Sequence, residues 1–389
     1  MSLKIDPADR ILKLPPYLFV EIDRLKNIAL SKGKDIIDLG IGDPDIPTPS
    51  VIVNSLKKAV ENPAYHRYPS TVGMLSFRET ACSWFKSRFG VSIDPTKEIT
   101  SIIGSKEGIG HIPFAFVNPG DYVLVPDPAY PVYKNATMFA GGKTYTMPLL
   151  KENGFIPDLK SIPEDIAKKS KLIFLNYPNN PTAALATKDF FEELVEFALK
   201  YNIIVCHDAA YTEICFDGYK APSFLEIDGA KDVGIEYHSL SKTFCMTGWR
   251  LGFAVGNAEV IAGLIKIKSN LDSGAFQAIQ EAGITALTDG LSPASDIYDV
   301  FKTRRDTFVS GIQKLGLECE SPKSTFYVWI TVPKGYRSSE FAMKLLNDAD
   351  LILTPGNGFG EYGEGYIRAA LTVPVNRLEE AIERIRKVI

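Results

Sequence analysis

Short apolar runs rich in β-branched residues alternate with longer amphipathic stretches through the middle of the chain. Four of these runs predict buried strands, at residues 98–104 (EITSIIG), 121–127 (DYVLVPD), 171–178 (KLIFLNYP) and 202–211 (NIIVCHDAAY). Residues 186–202 (ATKDFFEELVEFALKYN) have the apolar spacing of a helix. This alternation is typical of βαβ units, so we predict an α/β protein whose mostly parallel central sheet has helices on both faces.

The pattern changes after about residue 290. Residues 294–316 predict a long helix, shorter strands follow at 326–332 (FYVWITV) and 365–371 (GYIRAAL), and residues 375–389 predict a closing helix. We therefore predict a large domain over residues 46–289 and a smaller α+β domain over residues 290–389. An N-terminal arm, residues 1–45, should contribute to the smaller domain.

Composition mainly excludes classes of function. The 389 residues carry a net charge of −4, without the basic surplus that would favour nucleic acid as a partner. The opening segment lacks the apolar core of a signal peptide, and no apolar run reaches the length of about 18 residues that spans a membrane, so we predict a cytoplasmic protein without a membrane partner. The five cysteines are scattered and form no CxxC pair, which predicts free thiols, no disulfide framework and no metal site.

Polar turns follow the predicted strands. They read GSKEG (104–108), DPAYP (127–131), NYPNNP (176–181) and HDAAY (207–211). Ligands of open parallel sheets bind outside the carboxyl ends of the strands, so we expect these turns to meet at one pocket.

A lysine in the stretch HSLSKTFCMTGWR (238–250) is the first candidate for chemistry. Ser239, Ser241 and Arg250 offer the hydroxyl and guanidinium donors that hold a phosphate dianion, and the amine of Lys242 can form a Schiff base. A lysine beside a phosphate site indicates pyridoxal phosphate, although an isolated lysine is more often a solvated surface residue.

Pyridoxal phosphate needs a carboxylate at its pyridine nitrogen, and Asp208 follows a buried strand as such a carboxylate should. Tyr211 and Asn180 could donate hydrogen bonds to the phenolic oxygen of the ring. Each of the three residues also has an ordinary alternative as a turn or cap residue.

The other requirements of the cofactor and of an amino-acid substrate also have candidates. Ser105 and Lys106 open a predicted helix whose first amides could bind the phosphate. Tyr130 could stack on the ring, and Arg368 could bind the substrate's α-carboxylate with both of its terminal nitrogens. In isolation, Arg368 could equally form a surface ion pair.

In their order and spacing, these motifs resemble the fold-type I, class I and II aminotransferases over nearly the full chain. The resemblance implies a pyridoxal-phosphate-dependent transaminase that moves an amino group from an L-amino acid to 2-oxoglutarate by ping-pong chemistry. It assigns the Schiff-base lysine to Lys242 and the pyridinium partner to Asp208. It also places Tyr68 (in HRYPSTVG) at the phosphate of a neighbouring subunit, which implies a homodimer with shared active sites.

Three stretches resemble the LL-diaminopimelate aminotransferase subgroup, an enzyme class of lysine biosynthesis. They are PPYLFVEIDRLK (15–26), LGIGDPDIPTP (39–49) and DPAYPVYKNATMFAGG (127–142). The resemblance implies that Tyr17, Gly42, Asn180 and Arg368 border the substrate. The segment between Lys268 and Lys302 contains no basic residue, whereas dicarboxylate-specific relatives often have one there.

Two positions depart from the pattern. Thr71 stands where better-known members of the subgroup have an acidic residue, and Ala183 stands where the family usually has glycine. An alanine is tolerated there if its backbone avoids positive φ.

The alternatives to this function are an aspartate, alanine or broad-range aminotransferase and a carbon–sulfur lyase on the same scaffold. A transcription regulator with an aminotransferase-like domain would need an added basic helix-turn-helix, for which we see no room before the arm.

Overall fold

The computed structural model describes residues 3–14 and 18–389. In these residues the strands are β1 (Ile37–Asp38), β2 (Ile99–Ile102), β3 (Tyr122–Asp127), β4 (Lys143–Pro148), β5 (Ser170–Asn176), β6 (Ile204–Asp208), β7 (Gly234–Ser239), β8 (Gly252–Gly256), β9 (Tyr327–Thr331), β10 (Leu351–Ile352), β11 (Thr354–Pro355) and β12 (Tyr366–Ala370). The helices are α1 (Asp9–Leu12), α2 (Leu18–Ser31), α3 (Ser50–Ala59), α4 (Leu75–Phe89), α5 (Ser105–Phe116), α6 (Val132–Phe139), α7 (Glu164–Ala167), α8 (Lys188–Tyr201), α9 (Ala230–Val233), α10 (Leu240–Thr243), α11 (Ala258–Leu271), α12 (Gln277–Leu287), α13 (Leu291–Lys314), α14 (Ser338–Ala349) and α15 (Val375–Arg386).

The central sheet has seven strands in the order β2-β8-β7-β6-β5-β3-β4. Strand β8 runs antiparallel to β2 and β7, and the remaining pairs are parallel. The predicted mostly parallel sheet is therefore confirmed, as are its four predicted strands β2, β3, β5 and β6. Strands β4 and β8 were not predicted, because KTYTMP lacks a continuous apolar run and GFAVG is short and bounded by glycines.

Helices cover both faces of this sheet. On one face α5, α6 and α11 contribute Ile109, Tyr133 and Leu264 to a buried apolar cluster. On the other face α4 and α8 contribute residues such as Phe85 and Leu194 to a larger cluster. The ends of α8 follow from its sequence, since the Thr187 side chain accepts a hydrogen bond from the amide of Phe190 and the helix ends at a left-handed Asn202.

A third apolar cluster lies around a small antiparallel sheet of order β11-β12-β9. It joins residues of α13, α14 and α15, including Phe308, Phe341 and Leu378, to Ile37 and Leu39 of the N-terminal segment. Strand β1 also pairs in parallel with β10. These contacts agree with an arm that adds to a C-terminal α+β unit, while the boundaries at residues 45 and 290 stay a prediction.

The strand register brings the polar turns together. Asn176 at the end of β5 pairs with Asp208 at the end of β6, and Asp208 pairs with Tyr237 of β7, two residues before Ser239. Three carboxyl ends therefore lie side by side at one edge of the sheet. Within the described ranges, no helix is both long enough and apolar enough to cross a membrane.

Candidate active site

A cavity of about 350 Å³ opens at this edge of the sheet. Its lining includes all the predicted site residues except two, namely Gly42, Ser105, Lys106, Tyr130, Asn180, Asp208, Tyr211, Ser239, Ser241, Lys242, Arg250 and Arg368. Tyr17 lies outside the described residues, and Tyr68 is not part of the lining. The sequence motifs thus meet in one place although more than 300 positions separate Gly42 from Arg368.

One part of the cavity lining, the Asp208 end, is centred on Asp208, which is 6% exposed. Its Oδ2 accepts a 2.9 Å hydrogen bond from the hydroxyl of Tyr133, and its Oδ1 is buried without a hydrogen-bond partner among the described residues. Burial raises the pKa of the Asp208 carboxyl to about 6, against the opposite effect of the Tyr133 hydrogen bond. A buried carboxylate with one unpartnered oxygen fits a cationic N–H donor such as a protonated pyridine nitrogen.

Lys242 lies in α10, immediately after β7. Ser239 caps this short helix by accepting a hydrogen bond from the amide of Ser241 at 3.2 Å. The Lys242 Nζ donates a 2.6 Å hydrogen bond to the carbonyl of Gly42. Burial lowers the pKa of the amine to about 8, with the charge of Asp43 acting in the opposite direction. A substantial neutral fraction near physiological pH makes this amine a nucleophile for an aldehyde.

A second part of the cavity lining, the Ser105 end, carries anion-binding groups. Helix α5 begins at Ser105, so its first amides face this end, and Lys106 is the next residue. The guanidinium of Arg250 donates hydrogen bonds to the carbonyls of Thr247 and Ile103, at 2.8 Å and 3.1 Å. With the hydroxyls of Ser239 and Ser241, these groups have the chemistry required by a phosphate monoester.

Arg368 and Asn180 form the wall beside the lysine. Arg368 is 1% exposed, and it donates to Asn180 Oδ1 at 2.7 Å and to the carbonyl of Gly40 at 2.6 Å. Its guanidinium also lies 4.3 Å from the centre of the Tyr327 ring. Contacts on these sides fix the plane of the guanidinium, which is the group that binds a carboxylate through two parallel hydrogen bonds.

Tyr211 contributes a hydroxyl to the same wall. Its oxygen lies 3.0 Å from that of Tyr327, and burial raises the pKa of Tyr211 well above its usual value. The hydroxyl therefore stays protonated and can donate a hydrogen bond to an anionic oxygen. Gly42 faces the same tyrosine pair, because a Cβ at this position would lie 2.0 Å from the Tyr327 hydroxyl.

Three functional residues escaped the sequence analysis. Tyr133 contacts Asp208, Tyr327 contacts Tyr211 and Arg368, and Asn176 donates to the Asp208 carbonyl and accepts from the amide of Asn180. Tyr133 had a usable signal, since it follows Tyr130 at helical spacing in AYPVY. Tyr327 had none, since an aromatic residue in FYVWI is ordinary for a buried strand.

The Ala183 backbone has a φ of 59°, so the condition of a negative φ is not met. The residue follows the turn at Asn179, whose carbonyl accepts the Ala183 amide at 2.9 Å. An alanine in the left-handed region costs about 1–2 kcal/mol relative to the right-handed helical region. The turn therefore holds alanine in a conformation that glycine would adopt without strain.

A metal site was not expected from the sequence, but Glu107, His111 and Asp272 lie close enough to share an ion, with their nearest ligand atoms within 4.8 Å of one another. The ammonium of Lys268 donates hydrogen bonds to both Glu107 and Asp272. A protein cation therefore already lies between the two carboxylates.

Known proteins with the same sequence pattern are aminotransferases. The sequence model of the family described as aminotransferase class I and II matches residues 34–385. LL-diaminopimelate aminotransferases from Syntrophobacter fumaroxidans and Aquifex aeolicus are 57% and 56% identical to the chain, each over 98% of both chains. The substrate-bound structure of BacF from Bacillus subtilis is similar with a TM-score of 0.95 at 37% identity, covering 99% of this chain and 98% of BacF.

The fold and the cavity together define a fold-type I enzyme that depends on pyridoxal phosphate. The chain belongs to the class I and II aminotransferases, which use amino acids and 2-oxo acids as substrates. The unpartnered oxygen of Asp208, the amine of Lys242 and the donors around α5 fit the ring nitrogen, the aldehyde and the phosphate of this cofactor, respectively.

Proposed function

We propose that this aminotransferase transfers an amino group from LL-diaminopimelate to 2-oxoglutarate in the cytoplasm, as a step of lysine biosynthesis. The observation that carries this proposal is the identity of 57% and 56%, over 98% of the chain, with two enzymes that bear this name. Because each match covers 98% of this chain and 98% of the relative, the similarity extends over the full scaffold rather than over a cofactor-binding core alone.

When bound, pyridoxal phosphate supplies an aldehyde that condenses with amines and a protonated ring that takes up electrons released from the substrate's α-carbon. Lys242 binds the aldehyde between turnovers. When it is not bound to the aldehyde, the Lys242 Nζ would be the base that accepts and returns the proton at the substrate's α-carbon. Burial, which lowers the pKa of the free amine to about 8, favours the neutral form that such a base requires.

Different residues would contact the ring nitrogen, the phenolic oxygen and the phosphate of the cofactor. Asp208 holds the proton on the ring nitrogen, with Tyr133 fixing its other oxygen. Tyr211 and Asn180 would donate to the phenolic oxygen, and Tyr130 would stack on the ring. The phosphate is held by the remaining donors, namely Ser105, Lys106, Ser239, Ser241 and Arg250.

Arg368 binds the α-carboxylate of the substrate in this proposal, and Tyr17 and Gly42 border its side chain. LL-diaminopimelate carries a second ammonium at its far end, for which Thr71 offers only a hydroxyl. Asp43 adjoins Gly42 and is exposed, and its charge acts on Lys242. We propose that Asp43 supplies part of the negative charge that the distal ammonium meets.

A panel of amino donors with 2-oxoglutarate tests this specificity. LL-diaminopimelate should have the highest kcat/KM, with weaker activity on aspartate and glutamate. A lost charge-assisted hydrogen bond at Thr71 would reduce the preference about ten- to a hundredfold without abolishing it. A higher kcat/KM for aspartate or alanine would contradict the substrate assignment, and release of pyruvate and ammonia from cystathionine would indicate a carbon–sulfur lyase.

We further propose a homodimer in which each active site takes Tyr68 from the neighbouring subunit. Tyr68 is 93% exposed and lies outside the lining of the cavity of its own chain. An aromatic side chain exposed to this extent supports a role in an interface, because burial on association would remove a large apolar surface from water.

Complementation between two inactive variants tests the shared site. Tyr68→Phe and Arg368→Ala proteins are mixed under conditions that exchange subunits. A mixed dimer has both defects in one composite site and none in the other, so activity should return to about a quarter of the parent level when half of the dimers are mixed. Mass labelling verifies that the subunits have exchanged. If they have exchanged and no activity returns, the shared site is contradicted.

A further inference from the structure

The residue that connects β2 to α5 is held from both sides. Ile103 donates its amide hydrogen to Glu107 Oε2 at 2.6 Å, and its carbonyl accepts a hydrogen bond from Arg250 at 3.1 Å. One of these partners, Arg250, is a proposed phosphate ligand, and Ile103 lies two residues before Ser105, where the anion-binding helix begins. The direction in which the first amides of α5 point therefore depends on how this residue is held.

We infer that Glu107 is a positioning residue for cofactor binding: its carboxylate fixes the Ile103 peptide and thereby aims the start of α5 at the phosphate. This inference rests on the proposed location of the phosphate at Ser105, Lys106 and Arg250. Glu107 does not line the cavity and would not touch the cofactor.

A buried lysine holds the carboxylate in place. Lys268 of α11 is 0% exposed, and its Nζ donates a hydrogen bond to Glu107 Oε1, the oxygen that Ile103 does not use. Burial alone would raise the pKa of Glu107, but the contact with His111, the charge and hydrogen bond of Lys268 and the Ile103 amide bring it below the usual value. The carboxylate therefore stays charged, and each of its oxygens has a partner on a different element.

Gly104, the residue after Ile103, lies against the guanidinium of Arg250. Gly104 has a φ of 92°, and a Cβ on it would lie 2.3 Å from Arg250 Nη2. The peptide thus passes directly against the guanidinium. A small rotation about Ile103 would move both the α5 amides and Arg250, because the two are connected through this residue.

Lys268 also offsets an unfavourable charge. A carboxylate in the first turn of α5 would repel a bound phosphate dianion if it were uncompensated. The ammonium of Lys268 pairs with this carboxylate, and Asp272 Oδ1 lies 3.5 Å from the same ammonium. The ammonium therefore offsets part of the negative charge of the cluster, which makes an acidic residue more compatible with a phosphate-binding helix.

Two double variants separate positioning from charge and from folding. Glu107→Gln with Lys268→Met removes both charges but keeps an oxygen that can accept the Ile103 amide. Glu107→Met with Lys268→Met removes both charges and the acceptor. The cofactor is removed from the purified enzymes, and the dissociation constants of pyridoxal phosphate and of pyridoxal, which lacks the phosphate, are measured by equilibrium dialysis.

The variant without the acceptor should bind pyridoxal phosphate about tenfold more weakly, with pyridoxal changed by less than about twofold. The variant with the glutamine should keep the parent ratio of the two constants within about twofold. The inference would be overturned if the two double variants had equal dissociation constants for pyridoxal phosphate. It would also be overturned if binding of pyridoxal phosphate and of pyridoxal were weakened equally.

Two further variants make the result decisive. Glu107→Asp keeps the charge beside Lys268 but withdraws the acceptor from Ile103, so it should also weaken pyridoxal phosphate selectively, and it serves if the methionine variant does not fold. Arg250→Ala tests the location of the phosphate. If Arg250→Ala leaves the ratio of the two dissociation constants unchanged, the proposed phosphate site is wrong. If Arg250→Ala changes this ratio but the Glu107 variants do not, only the role of Glu107 is contradicted.

Discussion

The two ends of the active-site cavity are built on different physical principles. At the Asp208 end, Asp208 and Tyr133 are almost completely buried and touch each other through side chains. At the Ser105 end, Ser105 is half-buried, Lys106 and Arg250 are exposed, and the geometry comes from a helix start and a backbone carbonyl. Burial strengthens the electrostatic control of a reacting ring, whereas a phosphate that only anchors the cofactor is held well by amides and cations near solvent.

Lys242 lines the same cavity, and its loss should have the largest effect. Lys242→Ala should remove nearly all turnover, because both the amine that binds the aldehyde and the base that moves the α-proton are lost. In the parent, borohydride reduction followed by peptide mapping should find the cofactor on Lys242. Recovery of the reduced cofactor on Lys106 instead would contradict the assignment.

Asp208→Asn tests the buried end. The neutral amide cannot hold a proton on the ring nitrogen by charge pairing, so kcat should fall by about a thousandfold or more. Binding of pyridoxal phosphate should remain, since the phosphate donors are unchanged. Steady-state kinetics and cofactor content measure the two effects, and activity within about tenfold of the parent would show that another group holds the proton.

Arg250→Ala tests the exposed end and should give the opposite outcome. The dissociation constant of pyridoxal phosphate should rise about ten- to a hundredfold with the loss of a charge-assisted contact. At saturating cofactor, kcat should stay within about threefold of the parent, because the ring end is intact. A large fall in kcat at saturation would mean that the two ends are not functionally separate.

Tyr133→Phe should give a smaller effect at the buried end. The Tyr133 hydrogen bond lowers the pKa of Asp208, so its loss raises that pKa and the carboxylate becomes protonated at a higher pH than in the parent. The acidic limb of the kcat/KM profile should therefore move to higher pH, with activity at neutral pH reduced about three- to tenfold. An unchanged profile would show that Tyr133 only fills space.

Ala183→Gly should have the smallest effect and involves neither end. Glycine relieves the left-handed strain at a φ of 59°, partly offset by the greater entropy of the unfolded chain. The free energy of unfolding should rise by about 0.5–1 kcal/mol. Denaturant titration measures the change, and kinetic constants equal to those of the parent would confirm that the turn acts on stability alone.

Much of the fold was predictable because its strands and helices repeat simple patterns. The strands β3 and β5 are continuous apolar runs, and α8 begins at Thr187 and ends at Asn202, both of which are ordinary helix signals. Strand β8 was missed because its antiparallel place between β2 and β7 depends on partners distant in sequence. Its five residues carry too little pattern to predict a strand alone.

By itself, the sequence determined the chemistry available at the site: a lysine flanked by serines and an arginine, a carboxylate after a predicted strand, and a helix that opens with Ser105. These features are local, since each depends on a few neighbouring residues. Only the tertiary structure decided the pairing of Tyr133 with Asp208, the contact of Lys268 with Glu107, and the positive φ of Ala183. Such features depend on packing between distant segments and on the burial that sets their energies, neither of which a residue pattern contains.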